Sequence, residues 1–228
     1  MASRRLDDKR IRFDAAPHRY YVRQDGRQLP GTHRVLRQAG MMDVTYFTED
    51  TASRGTAIHR GCELIGRRPK AADGWGDLDQ TSVEPVILPF LERYRGALAR
   101  HQITVLATER LVAEPLLTAA TLLDAWVEID GQAGPLEIKS GVRVPSDRYQ
   151  LAAQMTMTHS IVGWMLYLQD AHPRPVPLMG TAYLSARQIW NICLTLFHRR
   201  VDDGDTSCWH DRPGDDGFHI GRYGSRSA

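Results

Sequence analysis

The stretch LLDAWVEIDGQAGPLEIKSG, residues 122–141, reads as two apolar strands joined at Asp130-Gly131, yet the second carries Glu137 and Lys139 inside its apolar run. Asp-Gly between alternating apolar residues is a strong hairpin signal, so the two strands are expected to lie side by side. Successive side chains of a strand point to opposite faces; Leu136 and Ile138 share one face, Glu137 and Lys139 the other. An acid and an amine inside a core strand constrain the fold, because a buried charge is costly unless it is paired.

The strand before this hairpin, ITVLATERLV, places Val105, Ala107, Glu109 and Leu111 on one face, a carboxylate among apolar neighbours. Asp124 lies between Leu122 and Trp126 on a similar face of the next strand. If these carboxylates converge, each like-charge pair about 5 Å apart repels by roughly 3 kcal/mol at an effective dielectric of about 20. Lys139 offsets only one of the charges on Glu109, Asp124 and Glu137, and a divalent cation matches the remainder. Oxygen donors without cysteine favour a hard ion, Mg²⁺ or Mn²⁺. An E-x-K on a strand is also commonly a solvated cross-strand pair, and Asp7 to Lys9 repeats the spacing by chance, so the motif alone does not define a site.

Around these strands, IRFDAAPHRYYVRQDGRQLPG predicts a hairpin turning at Asp25-Gly26, and THRVLRQAG a short helix closed by Gly40. TEDTASRGTAIHRGCELIGRR contains a longer helix, with Thr48 or Thr51 capping its start and Gly66 its end. Pro69 to Ser82 reads as a loop and VEPVILPFLERYRGALARHQ as a helix. Ser146 caps a helix expected to reach about Trp164, with Leu151, Met155, Val162 and Leu166 facing a core. VPLMGTAYL predicts a fourth strand, and Ser185 with Gln188 a capping box opening a last helix to about Arg200. The expectation is an α/β fold, a central mixed sheet flanked by helices, in one domain over residues 1–201 with a polar, mobile tail over 202–228.

The chain of 228 residues suffices for one substantial core, and its formal charge of +2 does not by itself advertise a polyanion partner. Cys62, Cys193 and Cys208 form no C-x-x-C pair, which excludes a disulfide framework and a cysteine-based zinc site. No apolar run approaches the roughly 20 residues of a membrane span, and MASRRLDDKR lacks an apolar leader core, so a cytoplasmic protein is expected. There is no GxxxxGK[ST], and His59 with Glu63 makes H-x-x-x-E rather than the H-E-x-x-H of zinc proteases.

Taken in order, these segments resemble the PD-(D/E)xK nuclease superfamily, in its RecB-like and phage lambda-exonuclease-like branch. The resemblance runs over much of residues 11–165: HRYYV with LPGTHRVL, SRGTAIHRGCELI for an RG-x-x-x-H helix, TER for an acid-bearing strand, ATLLDAWVEIDG for the metal-Asp strand, LEIKSG for the D/E-x-K strand and YQLAAQM for a Q-x-x-x-Y helix. It implies a restriction-endonuclease-like core in which Asp124, Glu137 and the backbone carbonyl of Ile138 bind the principal metal. Lys139 would orient or deprotonate the attacking water, a role open to lysine because burial beside a cation lowers its pKa. His59 and Glu109 would complete a second metal site or its surroundings, and Gln150 would hold water, substrate or Lys139. By its own position near a helix start, Arg54 is suited either to grip a DNA phosphate alongside the helix dipole or to stand solvated. Two positions depart from the pattern: Ala120-Thr121-Leu122-Leu123-Asp124 lacks the glycine of the small-Gly-Thr-x-Asp segment, and Gln154 stands where the tyrosine of Q-x-x-x-Y belongs.

The implied activity is a Mg²⁺-dependent exonuclease acting on DNA ends in phage-type recombination or repair, with a single-strand annealing protein as partner and a ring-like homo-oligomer as assembly. An endonuclease of the same fold and a catalytically silent DNA-binding module are the alternatives. Aromatic residues in hairpins and loops usually pack, so Tyr20, Tyr21 and Trp75 receive no role.

Overall fold

The described residues, 8–15, 18–42, 48–68 and 74–209 of a computed structural model, begin with a three-stranded antiparallel sheet of β1 (Ile11–Asp14), β2 (Arg19–Val22) and β3 (Gln28–Leu29). The β2–β3 connection turns at Asp25-Gly26 as expected, Gly26 N donating to Val22 O at 2.9 Å. The inner side chains Ile11, Tyr20, Val22 and Leu29 pack against Ala113 and Ala120, which fastens this small sheet to the large one.

Three helices follow: α1 (Thr32–Gln38), α2 (Glu49–Arg67) and α3 (Leu88–Arg100). Thr48 caps α2 reciprocally, its hydroxyl accepting from Thr51 N at 3.2 Å while Thr51 Oγ1 accepts from Thr48 N at 2.9 Å. Gly66 does not end the helix, which continues to Arg67. A Cβ at position 66 would stand 2.7 Å from Thr108 Cγ2, so glycine here permits the helix to lie close on the sheet. In the expected loop, residues 69–73 lie outside the described residues and Gln80–Ser82 forms a 3₁₀ turn.

The large sheet has the order β4 (Thr104–Ala113), β5 (Ala120–Ile129), β6 (Gln132–Lys139), β7 (Val162–Tyr167) and β8 (Val176–Met179). All its pairs are antiparallel except β6–β7, which α4 (Ser146–Thr158) joins as a crossover. α2 and α3 cover one face through Ile58, Cys62, Ile65, Leu91 and Tyr94, packed on Ala125, Val127, Leu136 and Ile138. α1, α4 and α5 (Gly180–Asp202) cover the other through Leu36, Ala153, Trp190 and Phe197, packed on Val112 and Leu123. The fold is the expected α/β class, a mixed sheet between helical layers.

Three expectations are corrected. The helix from Ser146 stops at Thr158, where His159 adopts the left-handed conformation at φ 54° and Ser160 N closes back on Met155 O at 3.0 Å. Residues 162–167 form β7, so the sheet has five strands; all six are buried, and a continuous apolar run satisfies helical spacing and a buried strand alike. Nor does Ser146 cap α4 through its side chain. The second correction concerns β8, which ends at Met179, so that α5 starts ahead of Ser185 without a capping box there. The stripe Ala186, Trp190, Cys193 and Phe197 is buried at helical spacing, and the chain from Gly180 continues that helix. Finally, part of the expected tail is fixed: Thr206–Trp209 forms a 3₁₀ turn, with Trp209 edge-on to Phe197 at 5.2 Å and its carbonyl accepting from Arg34 at 2.8 Å. Residues 210–228 lie outside the described residues.

The β6–β7 pairing depends on a missing side chain, since a Cβ on Gly134 would lie 2.2 Å from the Val162 carbonyl oxygen. Gly134→Ala is expected to lose about 1–3 kcal/mol by overpacking. Gly141→Ala, with nothing within 4 Å of the added carbon, is the control and should shift little. Urea midpoints of the two variants measure the difference.

Candidate active site

The β5–β6 ladder runs from Ile129↔Gln132 to Ala125↔Leu136 and ends there. Beyond it, Ile138 N donates to Asp124 Oδ2 at 2.8 Å, so a carboxylate occupies the place a strand carbonyl would otherwise take. On the other side of β5, Thr108 pairs with Ala125 and Arg110 with Leu123, which sets Glu109 opposite Asp124. Glu109 has φ 49°, a left-handed conformation that costs a residue with a side chain roughly 1–2 kcal/mol.

This irregularity changes which residues share a face. Leu123 and Ala125 have the same parity, yet Leu123 belongs to the α1/α4/α5 cluster and Ala125 to the α2/α3 cluster. Strand β5 therefore turns over at Asp124. In β4, a bulge between Val105 and Ala107 places Ala107 opposite Trp126. The expectation that Val105, Ala107, Glu109 and Leu111 line one face is thus corrected, because a bulge and a left-handed residue each break the alternation. Asp124 likewise reaches α2, while Trp126 packs on the opposite cluster.

On α2, His59 Nδ1 lies 3.1 Å from Asp124 Oδ1. Burial pulls the imidazole toward neutrality, but the Asp124 charge and hydrogen bond outweigh it and raise its pKa. Burial pushes Asp124 upward, and His59, the Ile138 amide and Lys139 bring it below the ordinary carboxylate value. Glu109 is pushed up to about 8, by burial first and then by the charges of Asp124 and Glu63. One helical turn from His59, Glu63 is buried and ion-paired with Arg60 and Arg67.

Glu137 and Lys139 project from the other face of β6, toward α4, as the strand period requires. Glu137 is 2% exposed, and both its oxygens are engaged: Gln150 Nε2 donates to Oε1 at 2.6 Å and Gln154 Nε2 to Oε2 at 2.5 Å. Lys139 Nζ lies 2.9 Å from Glu137 Oε1 and donates to Gln150 Oε1 at 2.7 Å. Burial of the amine acts to lower its pKa, but Glu137 and Asp147 prevail and hold it above the ordinary lysine value. Burial raises Glu137 above the usual range, with Lys139 and Gln154 opposing.

The structure brings Asp124, Glu137, Lys139, Gln150, His59 and Glu109 into one electrostatically coupled region, while Arg54 remains exposed on α2. Its neighbour Gly55 approaches Ser140, so Arg54 lies on the rim rather than inside. Tyr20, Tyr21 and Trp75 pack as expected: Tyr20 stacks on Phe13, Tyr21 lies under Arg12 and Trp75 under Arg95. Two participants, Asp147 and His33, were missed by sequence reasoning, and Gln154 was noted only as a departure from the motif. Asp147 lies 3.5 Å from Lys139 Nζ, Gln154 binds Glu137, and His33 on α1 feels the charges of Lys139 and Asp124. Burial keeps His33 neutral by lowering its pKa to about 3. Asp147, Gln150 and Gln154 recur at helical spacing on α4, and that polar stripe on a buried helix was the available signal.

Among the described residues, no group of three or more His, Cys, Asp or Glu side chains is arranged to hold a metal ion. Asp124 is turned to His59 and the Ile138 amide, and Glu137 to α4. The donors still fit a hard divalent ion in kind: carboxylate oxygens and an imidazole, with the nearby Cys62 thiol kept protonated by burial. Glu109 is pushed up by burial first and by the charges of Asp124 and Glu63 second, so a cation placed beside it would favour its ionised form.

No family model matches the sequence, and no curated protein matches it. Several solved structures are distantly similar, among them SSO0001 and LHK-Exo. SSO0001 shares 11% identity at a TM-score of 0.31, over 72% of this chain and 82% of that one. LHK-Exo, solved in complex with dAMP, shares 16% identity at a TM-score of 0.36, over 77% of this chain and 94% of that one. Fold and site by themselves define a mixed α/β protein with a buried acid–lysine–glutamine centre at the edge where β5 and β6 part. No helix among the described residues is long and apolar enough to cross a membrane.

The Glu109 shift has a sign that can be measured. Its folded pKa, about 8, exceeds the ordinary 4.5, so between those values the folded state holds a proton the unfolded state has lost. Its contribution to stability therefore falls as pH rises from about 4.5 to 8. In chelator, Glu109→Gln is expected to raise the melting temperature at pH 8 and to leave it nearly unchanged at pH 4. Calorimetric scans at the two pH values check this, and an equal shift at both would remove the electrostatic explanation.

Proposed function

We propose that this chain is a metal-dependent deoxyribonuclease, hydrolysing phosphodiester bonds at DNA ends as an exonuclease. The observation that carries this reading is the placement of Glu137 and Lys139 on β6 beside Asp124, at the point where β5 and β6 part. Asp124, Glu137 and the Ile138 carbonyl are the groups that would hold Mg²⁺ or Mn²⁺, with His59 and Glu109 beside them. When bound, such an ion supplies a Lewis acid for the scissile phosphate and balances charge developing in the transition state.

The residues supply position. The Ile138 amide and His59 fix both oxygens of Asp124, so the carboxylate is aligned in advance. Gln150 bridges Lys139 and Glu137, accepting from the amine and donating to the acid, which ties the two to one geometry. Lys139, held beside Glu137 and Gln150, would orient or deprotonate the water for in-line attack. Hydrolysis then consumes one water, forming a new phosphorus–oxygen bond as the bond to the leaving oxygen breaks. Arg54, exposed on α2, would meet a backbone phosphate.

Incubation of the purified protein with end-labelled linear duplex DNA, in Mg²⁺ or in chelator, tests the reading. Mononucleotide release from linear DNA, with covalently closed circles spared and no reaction in chelator, is the expected result. Cutting of circles would replace the exonuclease by an endonuclease, and binding without products in any metal would leave a DNA-binding module. Lys139→Ala is expected to lower cleavage by about 10²–10⁴-fold while DNA binding persists.

A further inference from the structure

Lys139 has a third partner that its own strand does not supply. Besides Glu137 and Gln150, its ammonium faces Asp147 Oδ1 at 3.5 Å. Asp147 opens α4 and is 4% exposed. An aspartate in a first helical turn ordinarily sits in water and interacts with the helix end. This one is buried and oriented from two sides. Tyr167 OH donates to Oδ2 at 3.1 Å, and Val144 N donates to the same oxygen at 3.1 Å, which leaves Oδ1 for the amine.

Tyr167 is itself fixed by the sheet. It lies on β7 in parallel register with Lys139, so the residue that orients Asp147 is the strand neighbour of the residue that Asp147 meets. The guanidinium of Arg143 covers the Tyr167 ring at 4.4 Å from its centre and pairs with Asp170 at 2.5 Å. The ring is thereby packed between sheet and loop, with its hydroxyl aimed at Asp147.

From this geometry we infer that Asp147, oriented by Tyr167, is a positioning residue that fixes the Lys139 ammonium independently of Glu137. The inference rests on the nuclease reading in one respect only, that Lys139 acts in the reaction. A lysine paired with Glu137 alone would follow that carboxylate or lose its anchor whenever Glu137 engages another group. With Gln150 accepting from the amine at 2.7 Å and the Asp147 carboxylate 3.5 Å away, the ammonium keeps two partners on α4 when Glu137 engages another group.

The test uses the full chain and the near-isosteric variants Asp147→Asn and Tyr167→Phe. With three lysines in the sequence, the ¹⁵N ammonium spectrum is simple, and Lys139→Met assigns its resonance. The wild type is expected to show a Lys139 ammonium signal narrowed by slow proton exchange. Asp147→Asn should broaden or remove it, and Tyr167→Phe should do so partly. In single-turnover cleavage of linear DNA, Asp147→Asn is expected to lower the maximal rate by about 10- to 100-fold with the half-saturating DNA concentration changed less than about 3-fold. A purely structural role would instead lower the melting temperature and leave the folded fraction with its full rate and an unaltered Lys139 signal. That result, or an unchanged signal and rate in Asp147→Asn, overturns the inference. If the wild type cleaves no DNA, the nuclease reading fails, and the ammonium spectra alone still decide whether Asp147 fixes Lys139.

Discussion

The arrangement of this protein's centre depends on how a carboxylate is accommodated in the middle of a sheet. Glu137 sits between apolar neighbours on a strand flanked on both sides, and an unpaired carboxylate there is untenable. Two glutamine amides from α4 and the ammonium of Lys139 satisfy it. That requirement fixes the rotation of α4, because Gln150 and Gln154 must both face β6. The same rotation buries Leu151 and Met155 against β7, so polar and apolar demands on the helix agree. Gln154 is not a conservative stand-in for tyrosine. A phenol offers one donor on a rigid ring, whereas its amide reaches Glu137 from a flexible stem, 1% exposed.

A second constraint lies one strand away. A regular β5 would pair with β6 along its whole length and leave no space between them. Instead the strand turns over at Asp124, the ladder stops, and the Ile138 amide is taken by a side chain. The left-handed Glu109 stands directly across. Strain and like-charge repulsion coincide at this point of the sheet, and both are features a fold removes unless something else retains them. Arg60 and Arg67 pair with Glu63 at the margin, while burial first, and then the charges of Asp124 and Glu63, push Glu109 toward its protonated form.

Much of this was legible in the sequence. Asp-Gly at 130–131 located the hairpin, and the period of two put Glu137 and Lys139 on one face, because both signals are local. What the sequence concealed depends on chain geometry that no side-chain pattern reports. The bulge after Val105 and the left-handed Glu109 shift parity, so faces counted across them come out wrong. Val162 to Tyr167 satisfied helical spacing and strand burial equally, and only the left-handed His159 separates helix from strand. Asp147 follows directly on Ser146 at the helix start; its role toward Lys139 requires knowing that β7 runs parallel to β6 with Tyr167 beside Lys139.

That parallel pairing also explains why lysine is present at position 139 in a chain whose other cations are overwhelmingly arginine. The space above β6 is bounded by Gln150 Oε1 at 2.7 Å, Glu137 Oε1 at 2.9 Å and Asp147 Oδ1 at 3.5 Å, three oxygens around a single nitrogen. An ammonium is a compact point charge with its donors on one atom, and it matches such a cluster. A planar guanidinium spreads five donors over a fork, and it would satisfy two of these acceptors only by displacing the third or by tilting α4. The identity of the residue thus follows from the shape of the site, and the shape follows from a helix held by the acid two residues before it.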